Sequence, residues 1–129
     1  MSFRWLTLDV LPGRFAISRL GPKASVPPWL PSRGFVSVTR TAEELSIICD
    51  DASVPPAVKA SRGWRAMKVD GPLPFDMCGV LSSITAPLAE ADVSVFAIAT
   101  HDTDYVLVME DALEKAVKAL TKAGHRIRA

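Results

Sequence analysis

The sequence predicts an α+β fold of two tandem ferredoxin-like units, each a βαββαβ arrangement with an antiparallel sheet and helices on one face. Three observations carry this reading. The chain repeats itself at a spacing of sixty residues: Ser37 to Asp50 runs parallel to Ala97 to Glu110, with small or apolar residues first, an acidic connection next and a strand-like run last. Trp5–Leu8 pairs with Arg65–Lys68, and Phe15 with Phe75, at the same offset. Self-similarity at a fixed period marks two copies of one unit. The second half also reads strand, helix, strand, strand, helix, strand, the split β-α-β order. Finally, 129 residues at 49% apolar hold one domain or two small ones, and units of about sixty residues are marginal alone. Two such units are expected to share a core or a large interface. The repeat places the division near Arg62-Gly63, giving a degenerate N-terminal unit at 1–62 and a C-terminal unit at 63–129.

Each element has a local cause. Phe3 to Val10 reads as a strand, ended by the turn pair Pro12-Gly13. Phe15 to Leu20 is a second strand. Val26 to Pro31 holds at most a turn or two of helix, because its prolines remove backbone donors. Phe35 to Thr39 and the β-branched run Leu45 to Cys49 form a hairpin. Ala52 to Arg62, with Pro55-Pro56, reads as the connection, with a short helix from Ala57 to Ser61. Trp64 to Val69 alternates as a strand, and Gly71 to Pro74 is a turn-rich crossing. Phe75 to Ala91 carries a helical stripe at Val80, Leu81, Ile84, Leu88 and Ala91. Pro87 within it predicts a kink or a restart. Val93 to Ala99 reads as a buried strand and Tyr105 to Met109 as its successor. Asp111 with Glu114 at N3 predicts a capped helix, with Leu113, Val117 and Leu120 on one face and Gly124 at its end. His125 to Ile127 suffices only for an edge strand.

Charge and cysteine usage exclude several classes. Net charge near +1 offers no broad attraction for nucleic acid. The cations Lys115, Lys118, Lys122, His125, Arg126 and Arg128 are read as dipole-matched and solvated at a helix end. Cys49 and Cys78 lack metal-ligand spacing, so no metal or cofactor is expected, and their apolar neighbours predict two buried free thiols. No stretch of eighteen apolar residues occurs and no signal-like segment begins the chain, so a cytoplasmic location is expected. No phosphate-binding loop, dinucleotide fingerprint or zinc signature is present. His101 with Asp102 or Asp104 is the only arrangement suggesting acid–base work, and the chain is read as non-enzymatic.

Gly79-Val80-Leu81-Ser82-Ser83-Ile84 through Pro87 to Val95 resembles the ACT domain, the small regulatory module that senses amino acids. Leu11 to Ala16, Thr39 to Ile47, Gly63 to Val69 and, most closely, Phe96 to Val108 are similar to the small bacterial tandem ACT proteins related to the cytosolic arginine-sensor family. The resemblance implies a regulatory protein binding a small amino acid at an interface between ACT units. It also implies side-by-side association, and the exposed edges of such sheets add to the expectation of a homodimer. Backbone N–H groups around Cys78, Gly79 and Val80, at a helix start, would meet the ligand's carboxylate. Asp104, beside Thr100 and His101, would meet its cationic end. The bland reading, which the residue type favours, is a hairpin-turn aspartate bonding its own backbone. Ser46 and Ile47 match a strand lining the amino-acid site of the arginine-sensing relatives, or simply pack as strand. The alternative is a structural or protein-interaction module with no small ligand, and a partner protein is a further candidate interactor.

Overall fold

Alternating apolar residues, not helices, dominate the element order of this chain. The computed structural model describes residues 5–129; Phe3 and Arg4 of the first predicted strand lie outside them. The described elements are β1 (Thr7–Val10), β2 (Phe15–Leu20), β3 (Ser37–Arg40), β4 (Leu45–Asp50), β5 (Ala60–Val69), α1 (Val80–Glu90), β6 (Phe96–Ala99), β7 (Asp104–Met109), α2 (Leu113–Lys122) and β8 (Arg126–Arg128). Two compact units result: Gly13–Trp64, and the described residues up to Pro12 together with Arg65–Ala129. A contiguous division at 62/63 is therefore not how the chain is partitioned. β1 pairs antiparallel with β5 (Leu8↔Val69) and parallel with β8 (Leu8↔Ile127). Strand pairing is non-local, so the start of the chain belongs with its end.

In the larger unit the second-half order is β5-α1-β6-β7-α2-β8, as the pattern predicted. The strand order is β6-β7-β5-β1-β8, with β1 inserted beside β5. Leu6 and Leu8, Met67 and Val69, and Val106 and Val108 recur at period two. They pack with Val80, Ile84 and Leu88 of α1 and Ala116 and Leu120 of α2. The smaller unit carries strands in the order β3-β4-β2-β5, around Ala16, Leu45, Ile47, Cys49 and Val54. Its described residues include no α-helix. Where a short helix was predicted at 57–61, β5 has begun at Ala60, pairing with Ser18. Arg62 stays in this unit, donating to Asp51 Oδ1 at 2.9 Å and to the Val54 and Pro55 carbonyls.

The hairpins show the repeat most clearly, and its period is fifty-nine. β3 and β6 (Ser37, Phe96), β4 and β7 (Leu45, Asp104), and the 3-10 turns that follow (Asp51–Ser53, Glu110–Ala112) all share that offset. Thr41 N donates to Glu44 O and Thr100 N to Thr103 O, both at 2.9 Å. The counterpart of Glu44 is thus Thr103, and Asp104 stands where the first copy has the fully buried Leu45. At low identity an alignment slips by one residue easily; the hydrogen-bonded turn removes the ambiguity.

Pro87 lies inside α1, which nonetheless runs unbroken to Glu90. A proline has no N–H for the carbonyl four residues earlier, here that of Ser83. The His125 ring fills the gap: Nε2 donates to Ser83 O at 2.9 Å, and Nδ1 accepts from Leu6 N–H at 3.0 Å. His125 is buried, at 5% exposure, so it is not one of the solvated cations. Gly124, with φ of 104°, ends α2, and His125 N bonds Leu120 O at 3.0 Å. Asp111 does not cap α2. It falls in the preceding 3-10 turn, and the helix begins after Ala112 with no side-chain cap.

Candidate functional site

The β6–β7 hairpin and the β5–α1 loop face each other across a cleft of about 190 Å³ in the larger unit. The hairpin tip is rigid by local chemistry. Thr100 Oγ1 donates to Thr103 O at 2.8 Å and accepts from Thr103 N at 3.3 Å. Thr103 is buried and donates Oγ1–H to Val69 O at 2.6 Å, tying the tip to β5. The loop docks on this tip through Leu73 N, 2.7 Å from Asp102 O. A Cβ on Gly71 would lie 3.1 Å from both Asp102 O and Thr103 Cβ, so this close approach favours glycine.

Beyond the dock the loop turns at Phe75–Asp76 and enters α1 through Gly79 at φ 78°. The predicted helix over 75–79 is absent because this left-handed residue starts the helix at Val80. The N-cap residue of α1 is Gly79, which has no side chain to cap it, and the first-turn N–H groups of a helix have no intrahelical partner. Val80, Thr100, His101 and Asp104 border the cleft, whereas Cys78 and Gly79 adjoin it in the loop without lining it. Cys78 is exposed, not buried; Cys49 alone has the expected burial, which raises its thiol pKa. Ser46 is half-buried on β4 of the smaller unit, and Ile47 is fully buried in that unit's core. Leu73, Phe75, Met77 and Thr103 also border the cleft and escaped sequence reasoning. The repeated threonine opening both hairpin turns was the one available signal.

Asp104 is the chemically distinctive group. It is half-buried, and desolvation pushes its carboxyl above the usual 3.8. No described side chain supplies it with a cation. His101 Nδ1 instead lies 2.8 Å from Asp102 Oδ1, both side chains well exposed, a pairing of small energetic value. A second cleft of about 190 Å³ shares Thr100, Asp102 and Thr103 and adds Lys68 and Tyr105. A larger groove of about 560 Å³ between α1 and α2 is bordered by Lys115, Lys118 and Lys122. Of these three, the first cleft joins a desolvated carboxylate to a helix start. Among the described residues no cluster of acidic, histidine or cysteine side chains is placed to hold a metal.

The raised pKa has a consequence for stability. In its window above 3.8 the native state binds more protons than the unfolded chain, so stability falls as pH rises through the folded value. Asp104→Asn is therefore expected to melt higher than wild type at neutral pH, with the gap closing in acid below 3.8. Melting curves of both proteins across that range measure it, and identical curves would exclude a desolvated carboxylate.

A profile of the ACT domain matches residues 59–122, and a profile of an N-terminal domain matches residues 13–57. A protein of known structure from Agobacterium tumefaciens superposes with a TM-score of 0.90 at 37% identity, covering 95% of this chain and 92% of that one. The human cytosolic arginine sensor for mTORC1 subunit 1 is 34% identical over 92 residues, 69% of this chain. This chain spans 27% of that relative's length. Aspartate kinase from Clostridium acetobutylicum shares the fold at a TM-score of 0.65 and 13% identity, covering 90% of this chain and 34% of that one. The chain contains an ACT domain at residues 59–122, and its tandem ferredoxin-like units are related to those of the arginine sensors. No helix among the described residues is long and apolar enough to cross a membrane.

Proposed function

We propose that this chain is a non-catalytic regulatory protein that binds a small amino acid in the cleft between the β5–α1 loop and the β6–β7 hairpin. The observation that carries the reading is Asp104, a half-buried carboxylate with no cation from any described side chain, bordering the same cleft as Val80 at the start of α1. The ligand's carboxylate meets backbone N–H groups near Cys78, Gly79 and Val80, and its cationic end meets Asp104, with Thr100 and His101 beside it. The cleft is smaller than the roughly 300–1,000 Å³ usual for drug-sized ligands, which suits a molecule of amino-acid size. The arginine-sensor relatives support the same class of ligand. The output is a changed interface with a partner protein, a linkage effect and not a reaction. β6 and β8 leave sheet edges open within the chain, consistent with a homodimer, and a cytoplasmic setting follows the arginine-sensor likeness.

A thermal-shift screen of the twenty amino acids tests the reading, because a ligand that binds only the native state stabilises it, by about 2.7 kcal/mol at a hundredfold excess over Kd. One or more are expected to raise the transition, and Asp104→Ala is expected to weaken any hit by tenfold or more in calorimetric titration while remaining folded. Light scattering of the same samples reports the dimer. If saturating millimolar amino acids all leave the transition unmoved, the chain is instead a ligand-free interaction module. Trp5, at 57% exposure, gives that rival its apolar surface.

A further inference from the structure

The helix side of the larger unit carries a row of cations that the helix itself does not account for. Lys115, Lys118 and Lys122 follow at i, i+3 and i+7 on α2, which places them on one face. All three border the groove of about 560 Å³ between α1 and α2. The helix dipole favours only Lys122, in the last turn; Lys115 stands in the first turn, where a cation is disfavoured. Lys118 meets Glu114 at 3.3 Å with both side chains largely exposed, a pair of small value that another carboxylate can replace. Lys115 and Lys122 have no acidic partner among the described residues. Among those residues Glu90 alone brings a carboxylate to the groove, so its rim is positive although the whole chain is near neutral at +1. Between the charges the floor is small and apolar, with Pro87 and Ala91 on the α1 side and Ala119 and Ala123 on the α2 side.

The lysine row covers about 10 Å along α2, at ~1.5 Å of rise per residue. Its charges are spread along a line and do not converge on one point, which suits carboxylates repeating along another element better than a single small anion. A groove between two helices presents no strand edge for an extended segment to pair with, whereas a helix arrives with its backbone already bonded. Small residues on the floor let such a helix approach closely. We propose that the α1–α2 groove is a docking surface for an acidic amphipathic helix of a partner protein. Apolar residues of that helix meet Pro87, Ala91, Ala119 and Ala123, and its carboxylates meet Lys115, Lys118 and Lys122. Complementary charge steers the encounter and fixes the orientation of the helix more than it adds affinity. The groove gives a surface and a chemistry to the partner interface of the proposed function, and it stands whether or not the cleft takes an amino acid.

The probe is a fluorescently labelled synthetic amphipathic helix with glutamate along one face and alanine and leucine along the other; the same helix with glutamine for glutamate is the control. Anisotropy titrations with the whole chain are expected to show binding of the acidic helix and weaker binding of the glutamine helix. The triple variant Lys115→Glu, Lys118→Glu, Lys122→Glu should lose roughly 3- to 100-fold, the range for three exposed ion pairs. Reversal of Lys23 and Lys59, exposed cations of the smaller unit, should change little. Ala123→Trp, which fills the exposed end of the floor, should weaken binding without altering the charge. The substituted residues are all exposed, so the variants should melt like wild type, separating docking from folding. Failure of wild type to bind the acidic helix at millimolar concentration overturns the proposal. So does a loss in the triple variant no larger than that from reversing Lys23 and Lys59, or full binding by Ala123→Trp, because diffuse attraction and not the groove would then hold the helix. Binding of phosphatidylserine vesicles in place of the peptide also overturns it and assigns the lysines to a membrane surface. Binding of the acidic helix by a chain that no amino acid stabilises upholds the groove and sinks only the amino-acid reading.

Discussion

His125→Leu is expected to lower stability by roughly 2–6 kcal/mol, because it strips one buried and one partly buried backbone group of their partners at about 1–3 kcal/mol each. Those groups are the Leu6 N–H on the approach to β1 and the Ser83 carbonyl in α1. Against the ~5–15 kcal/mol that holds a typical domain together, the loss is large. Urea denaturation followed by circular dichroism measures it. The second half of the expectation separates this cause from simple loss of packing. Ser83 O needs the imidazole only because Pro87 has no N–H to offer. Pro87→Ala restores that donor, so in the His125→Leu background it should recover about 1–3 kcal/mol. In the wild-type background the alanine N–H competes with the ring for the same acceptor. The two substitutions should therefore be non-additive, with a coupling of about 0.5–3 kcal/mol. Strict additivity would mean that the ring does not compensate for the proline.

Ile47→Ala is expected to destabilise by about 2–5 kcal/mol, the range for removing a buried branched side chain without full collapse of the cavity. Ile47 is fully buried beside Ala16, Leu45, Cys49 and Val54, a small core in which one side chain is a large share. Chemical denaturation supplies the value, and Ser46→Ala at the half-buried neighbouring position should change little. The comparison bears on function because likeness to the arginine sensors had suggested both residues as ligand contacts. A stable Ile47→Ala variant with selectively lost ligand affinity would return Ile47 to the site. A destabilised variant that still binds would leave it in the core.

Most strands and both hairpins were legible because their signals are local: alternation at period two, β-branched runs and turn residues between them. β3, β4, β6 and β7 lie within a few residues of their predicted spans. The termination of α2 at Gly124 was equally local. Helix starts were less legible. Phe75 to Gly79 extends the apolar stripe, yet the left-handed Gly79 sets the boundary. Asp111 has the composition of a cap, but the 3-10 turn spends it before the helix begins. The candidate site was legible in part. Asp104, Thr100, His101 and Val80 border one cleft, whereas Phe75 and Thr103 drew no notice because exposure and a hydrogen bond to Val69 are not written in residue order.

The sequence by itself determined the α+β class, the order of elements in the second half, the repeated hairpin and the family, since each follows from side chains a few positions apart or from likeness along the chain. Tertiary structure alone decided that β1 joins β5 and β8, that His125 is a buried backbone clasp and not a surface cation, and that Cys78 is exposed. It also decided that Asp104 loses water where the first copy of the repeat has Leu45. The physical reason is common to all of these. Burial, and the partner that satisfies a backbone group, depend on segments brought together from opposite ends of the chain, such as Leu6 and His125.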